Sequence, residues 1–249
     1  MNATDTTNGR VAIVTGGSRG IGRATAERLA GDGFAVVVNY AGNEEEAEAA
    51  VESISDGGGR AISHQADVGD EGAVAELFDA TERELGRVNV VVHAAGIMPL
   101  APLAELDLGV FDQVIRTNLR GTFVVDQQAV RRVGDGGAIV NFSSSVVELA
   151  RENYSAYAAS KGGVEAITMV LARELRGRDV TVNAIAPGPT ATRLFLEGKD
   201  DETIAGLASA PPLERLGTPE DIAELIAFLA SPAGHWIDGQ VIRANGGIV

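Results

Sequence analysis

Apolar residues along this chain gather into seven short runs: Val11–Thr15, Ala35–Asn39, Ala61–Gln65, Val88–His93, Ala138–Phe142, Val180–Ile185 and Gln240–Arg243. Most of the runs are continuous rather than alternating, the pattern of strands in a parallel sheet buried on both faces. Between them, apolar positions recur at helical spacing. Ile21, Ala24, Leu29 and Ala30 mark one such stretch, and Val164, Ile167, Leu171 and Leu175 mark another within 156–175. A third spans 111–133. Strand alternating with helix predicts an α/β, doubly wound fold with right-handed crossovers. The segment 190–215 has no strong period and contains Pro211-Pro212, so it is expected to form a partly helical, mobile lid.

No linker, repeat or low-complexity segment divides the pattern, so residues 9–249 are expected to form one domain. Residues 1–8 are short and polar, carry Asp5 and lack an apolar core; they read as a frayed, disordered tail rather than a signal peptide. A chain of 249 residues suits one large α/β domain and is too short for a second, substrate-binding one. With no cysteine there are no disulfides and no thiolate chemistry, which fits the cytoplasm. No apolar run approaches the ~20 residues that span a membrane. The formal net charge of −15 argues against nucleic acid and anionic membranes as partners. No metal site is expected.

Three local features carry chemistry. After the first strand comes Gly16-Gly17-Ser18-Arg19-Gly20-Ile21-Gly22 and then a helix. A strand, a glycine-rich turn and a helix amino terminus make an anion site, because the backbone can approach a pyrophosphate and the free N–H groups and helix dipole stabilise it. The fifth run ends in the hydroxyls Ser143, Ser144 and Ser145, with Ser144 thirteen residues before Tyr157. Tyr157 and Lys161 stand four apart on a predicted helix, in a chain whose only other lysine is Lys199. They should share a helix face, and an ammonium beside a phenol is expected to lower the tyrosine pKa. Ligands of such folds sit beyond the carboxyl ends of the strands, so Thr15, Asn39, Asp67, His93, Ser144 and Pro187 should ring one crevice.

In order and spacing, Thr15-Gly16-x-x-x-Gly20-x-Gly22, Asn118, Ser144 and Tyr157-x-x-x-Lys161 resemble the short-chain dehydrogenase/reductases in their single-domain form. Asp67-Val68, Ala94-Ala95-Gly96, Pro187-Gly188 and Asp238-Gly239-Gln240-Val241 extend the likeness, which runs from Gly9 to the last residue. His93 and Thr190 depart from the family, which usually has asparagine at the first position and often an aliphatic residue at the second. The resemblance implies a Rossmann-like sheet of seven parallel strands in the order 3-2-1-4-5-6-7 and a homotetramer with 222 symmetry. It also implies a catalytic set of Asn118, Ser144, Tyr157 and Lys161. The implied cofactor site comprises Gly16, Ser18, Arg19, Gly20, Ile21, Gly22, Asn39, Tyr40, Asp67, Val68, Ala94, Ala95, Gly96, Tyr157, Lys161, Pro187, Gly188, Thr190 and Thr192. Asp67 would cap the adenine site; its local alternative is a helix cap before 69–85.

Family members that favour NAD usually end the second strand with an acidic residue that accepts from the ribose 2′-OH. Here Asn39-Tyr40 stand there, and Arg19 in the turn could meet a 2′-phosphate. NADP(H) is therefore the preferred expectation and NAD(H) a possible one, with Glu44, Glu45 and Glu46 as the charges that oppose a phosphate. By resemblance, the reaction is reversible hydride transfer between the nicotinamide and a ketone or aldehyde carbonyl. Tyr157 serves as proton donor, Ser144 steadies the oxygen, and Asn118 anchors a water behind Lys161.

Pocket walls are expected from Ile97, Met98, Leu100, Val146, Val147, Leu149, Tyr154, Leu194, Phe195 and Leu196, with Arg151 or Arg193 as the available cations. This suits a moderately hydrophobic small-molecule carbonyl. One alternative is a 3-oxoacyl-[acyl-carrier-protein] reductase that uses Arg131, Arg132, Arg173 and Arg176, against which the overall acidity counts. Another is a non-catalytic nicotinamide-sensing protein, against which the retained Tyr/Lys pair counts.

Overall fold

In a computed structural model, which describes residues 9–249, strand β1 (Val11–Thr15) is buried at every position. The expected tail, 1–8, lies outside the described residues. Ala12 and Val14 pack on one face of the sheet and Ile13 on the other, so both kinds of neighbour must be apolar. The same holds for β2 (Ala35–Tyr40), β4 (Val88–His93), β5 (Gly137–Phe142) and β6 (Val180–Pro187). The edges are β3 (Arg60–Gln65), half-exposed along its length, and β7 (Val241–Ala244). The sheet is parallel throughout, in the order β3-β2-β1-β4-β5-β6-β7.

Helices α1 (Gly20–Gly31), α2 (Glu44–Asp56) and α10 (Pro219–Leu229) bury Leu29, Ile54 and Ile226 against one face. The other face is covered by α3 (Glu71–Glu84), α5 (Gly121–Arg132) and α7 (Ser155–Glu174), through residues such as Phe78, Val125 and Leu171. After β3 the chain crosses back to β4 on the far side of β1. The connections after β1 and β4 therefore lead to helices on opposite faces, which opens a crevice at the carboxyl ends of the strands.

The helix expected over 111–133 is not uniform. It consists of α4 (Leu108–Val114), a π-helical turn (Ile115–Arg120) and α5. The wider turn holds Asn118 fully buried, where its amide pairs with Ile97 in the loop after β4. The segment expected to form a lid contains two short helices, α8 (Arg193–Leu196) and α9 (Asp201–Ser209). Its ends are tied together where Ala191 N donates to Gly217 O and Gly217 N donates to Pro189 O. Among the described residues no helix is long and apolar enough to cross a membrane.

Candidate active site

One cavity of about 770 Å³ opens at the carboxyl ends of the strands. At one end lies the glycine turn. Gly16 and Gly20 hold φ of +64° and +53°, which side chains rarely adopt, and a Cβ on Gly22 would fall 2.2 Å from the Gly16 carbonyl oxygen. Helix α1 starts without a side-chain cap, whereas α2, α3, α9 and α10 are capped by Asn43, Asp70, Asp200 and Thr218. Gly20, Ile21 and Gly22 thus begin a helix with unclaimed N–H donors and line the cavity. That donor set fits a pyrophosphate.

The next stretch of wall is fixed by its own hydrogen bonds. Asn39 is buried, and its Nδ2 donates to His64 O at 3.2 Å and Ala66 O at 3.0 Å, so its amide ties β2 to the chain after β3. Asp67 is not the cap of α3; Asp70 is. Asp67 instead accepts from Gly69 N at 2.8 Å and pairs with Arg116 at 2.7 Å. Arg19 is exposed and makes no ion pair among the described residues. Arg193, a candidate cation for substrate, is tied at 2.8 Å to Glu46.

At the other end the three hydroxyls after β5 divide their work. Ser143 Oγ donates to Glu165 Oε1 at 2.6 Å, and Ser145 Oγ to Ala186 O at 3.2 Å. Ser144 is left beside the Tyr157 phenol. The phenol departs from expectation. Loss of solvent around it raises its pKa to about 12, outweighing the help of Ser144. Lys161 does not lower it, because Nζ donates to Phe142 O at 2.7 Å and lies 5.6 Å from the ring centre. Burial pushes the Lys161 pKa down to about 8.

Behind them, Asn118 Nδ2 donates to Ile97 O at 2.9 Å and Ser160 Oγ at 3.2 Å, while Oδ1 accepts from Ile97 N at 2.9 Å. Both amide hydrogens are occupied. Gly96 separates Asn118 from Lys161: a Cβ there would lie 3.3 Å from Asn118 Oδ1 and 3.8 Å from Lys161 Nζ. His93 shares a hydrogen bond of 2.9 Å with Thr15 Oγ1 through Nδ1. Burial, and then the Lys161 charge, push its pKa down to about 3, so the ring is neutral. Thr190 is buried and donates to Gly188 O at 3.0 Å, so its hydroxyl is satisfied where the family often places an aliphatic residue.

Every residue of the implied catalytic and cofactor sets lines this cavity except Asn118, which lies behind its wall; Thr15 and His93, also expected to ring the crevice, are buried and do not line it. Of the expected substrate walls, Leu100, Val147 and Leu196 do not line it. On α6 (Val146–Leu149), Val146 and Leu149 face the cavity while Val147 turns toward Gly162. Gln113, Arg116 and Leu207 line the cavity without having been expected there, and of the three glutamates expected to oppose a phosphate only Glu46 lines it. Arg116 pairs with Asp67, far from it in sequence, so no local pattern points to it.

A family model described as enoyl-(acyl carrier protein) reductase matches residues 16–249. A short-chain type dehydrogenase/reductase of Picea abies is 44% identical over 251 residues, covering 97% of this chain and 93% of the relative. The chloroplastic NADPH-dependent aldehyde reductase 2 of Arabidopsis thaliana is 41% identical over 254 residues, covering 96% and 93%. Among solved structures, a short chain dehydrogenase of Burkholderia cenocepacia in complex with NADP superposes with a TM-score of 0.91 at 37% identity, covering 96% of this chain and 97% of that one. With such likeness over nearly its whole length, this chain belongs to the short-chain dehydrogenase/reductase family and is an oxidoreductase of carbonyl or alcohol groups.

Proposed function

We propose that the protein is an NADP(H)-dependent reductase of a moderately hydrophobic ketone or aldehyde, with Tyr157 as the proton donor. One observation carries this reading: a single cavity holds the uncapped glycine turn at one end and Ser144, Tyr157 and Lys161 at the other. The NADPH use of the Arabidopsis relative and the NADP in the Burkholderia structure support the same cofactor here. So does Arg19, a cation without an ion-pair partner among the described residues.

When bound, NADPH supplies the hydride. The chain supplies the rest. A phenol held near pKa 12 is protonated at any working pH, which suits a group that gives its proton to a carbonyl oxygen becoming alkoxide. Ser144 donates a hydrogen bond to that oxygen and stabilises its growing charge. Lys161, with two N–H donors beyond the one given to Phe142 O, would hold the nicotinamide ribose. Asn118 fixes the loop at Gly96 and Ile97 against the π-turn and α7, and so positions Lys161's surroundings. The glycine turn would hold the pyrophosphate, and Thr192, Pro187 and Gly188 the nicotinamide side.

For substrate, Ile97, Met98, Val146, Leu149, Tyr154, Leu194, Phe195 and Leu207 offer an apolar wall, with Arg151 at its rim. The acyl-carrier alternative loses support. Arg132 is engaged by Asp79 and Glu82, and Arg131, Arg173 and Arg176 sit at the ends of helices that precede the amino ends of β5 and β6, across the sheet from the cavity. A homotetramer is supported by Phe123, Met169 and Val170, which stand exposed on α5 and α7. The absence of cysteine supports a cytoplasmic setting. The test is a carbonyl panel assayed with NADPH and NADH, including one acyl thioester. Turnover of apolar ketones or aldehydes with NADPH is expected; turnover of the thioester alone would refute the reading.

A further inference from the structure

Arg193, at the start of α8, reaches across the cavity rim to Glu46 in the first turn of α2, with Nη1 2.8 Å from Oε1. The pair joins two elements over the cavity beside the glycine turn. Thr192, its neighbour, sets its methyl over that turn, where a Cβ on Gly20 would lie 3.4 Å from Thr192 Cγ2. The second carboxylate oxygen of Glu46, Oε2, is buried and has no hydrogen-bond partner among the described residues. Arg19, Arg193, Glu46, Asn39 and Tyr40 all line this part of the cavity. Arg193 is committed to Glu46 and Arg116 to Asp67, so beside the glycine turn Arg19 is the cation without an ion-pair partner among the described residues.

Removal of Arg193 would invert that balance. Glu46 would then present a bare carboxylate where the adenosine ribose lies on the NADP(H) reading. A carboxylate there repels a 2′-phosphate and accepts a hydrogen bond from a 2′-hydroxyl. We propose that the Arg193–Glu46 pair determines cofactor choice: Arg193 masks Glu46 from the 2′-phosphate, so the lid, and not the glycine turn alone, sets the preference for NADP(H). The inference rests on the NADP(H) reading above and deepens it. It differs from a simple clamp, which would hold both cofactors alike.

The test is a fluorescence titration of NADPH and NADH against the parent, Arg193→Ala, Glu46→Gln and the double variant, with thermal midpoints recorded to confirm folding. Arg193→Ala should weaken NADPH about tenfold while NADH stays within about twofold or tightens. Glu46→Gln should move the NADPH:NADH ratio the opposite way, since it frees Arg193 for the phosphate and takes away the carboxylate. The double variant should return to within about threefold of the parent ratio. If both single variants weaken both cofactors equally, or leave the ratio unchanged, the pair is no more than a clamp and the proposal is overturned. A parent that prefers NADH would refute the cofactor reading itself. That failure is visible before any variant is made.

Discussion

The two ends of the cavity hold charge in different ways. At the catalytic end the groups are sunk in protein: Lys161 is 4% exposed, His93 1% and Asn118 0%. Each is held by named hydrogen bonds, and the ionisable ones sit far from their ordinary pKa values. At the cofactor rim, Arg116 and Asp67 are about half exposed, at 48% and 47% of their side chains, and Arg193 more so at 58%. Buried charge acts strongly and singly, whereas exposed charge acts weakly and in sums. The chemistry should therefore hang on one atom. Cofactor preference should be spread over several side chains.

The largest expected effect breaks the catalytic end by that one atom. Tyr157→Phe removes the proton donor and little shape, so turnover should fall by ~10³-fold while NADPH affinity stays within about twofold. A variant that keeps parental turnover would end the mechanism. Asn39→Asp is next, and its effect is on folding. The new carboxylate would replace a buried amide that donates to His64 O and Ala66 O, leaving acceptor against acceptor. The expected loss is about 2–4 kcal/mol, read as a lower urea midpoint. An unchanged midpoint would mean that the amide bridge is not needed, and the substitution could then serve as a clean probe of cofactor choice.

At the rim, Arg19→Ala should weaken NADPH by ~1.5–3 kcal/mol, roughly tenfold to more than a hundredfold, and leave NADH nearly untouched. Equal loss for both cofactors would place Arg19 outside the 2′-phosphate site. Returning to the buried end, Lys161 has a pKa of about 8 instead of 10.5, so its charge is present below pH 8 and lost above it. On the proposed mechanism, kcat/KM for reduction should fall by up to about tenfold per pH unit above 8. Stability should move the other way. Between pH 8 and 10.5 the unfolded chain binds a proton that the folded one does not, so this group makes the fold more stable as pH rises. A flat kcat/KM profile to pH 10 would show that the Lys161 charge is not required.

Much of this was legible because buried parallel strands leave continuous apolar runs. The seven runs correspond to the seven strands, with ends shifted by a residue or two, as where β6 continues through Ala186 and Pro187. The π-turn was not legible, since one extra residue per turn barely disturbs helical spacing over 111–133. Apart from the family resemblance, three consecutive serines do not say which hydroxyl is left for a ligand; in the fold Glu165 and Ala186 claim two of them. The four-residue spacing of Tyr157 and Lys161 correctly placed them on one helix, but not the ammonium, whose long stem carries it to Phe142 O. Glu46 and Arg193 stand 147 residues apart, and only the fold brings them together.

The smallest expected effect sharpens the contrast between the two ends most directly. Exposed charges are screened by added salt and buried ones much less, as the Debye length falls from about 10 Å at 0.1 M to about 3 Å at 1 M. If NADPH preference comes from half-exposed arginines at the rim, raising ionic strength across that range should reduce the NADPH:NADH affinity ratio by about three- to tenfold. The pH at which kcat/KM falls should move little over the same range, because Lys161 is shut away from the added ions. Titrating both cofactors and recording the pH profile at each salt concentration measures the two ends in one protein. If the ratio holds while the profile shifts, the buried end is open to solvent and the rim is not.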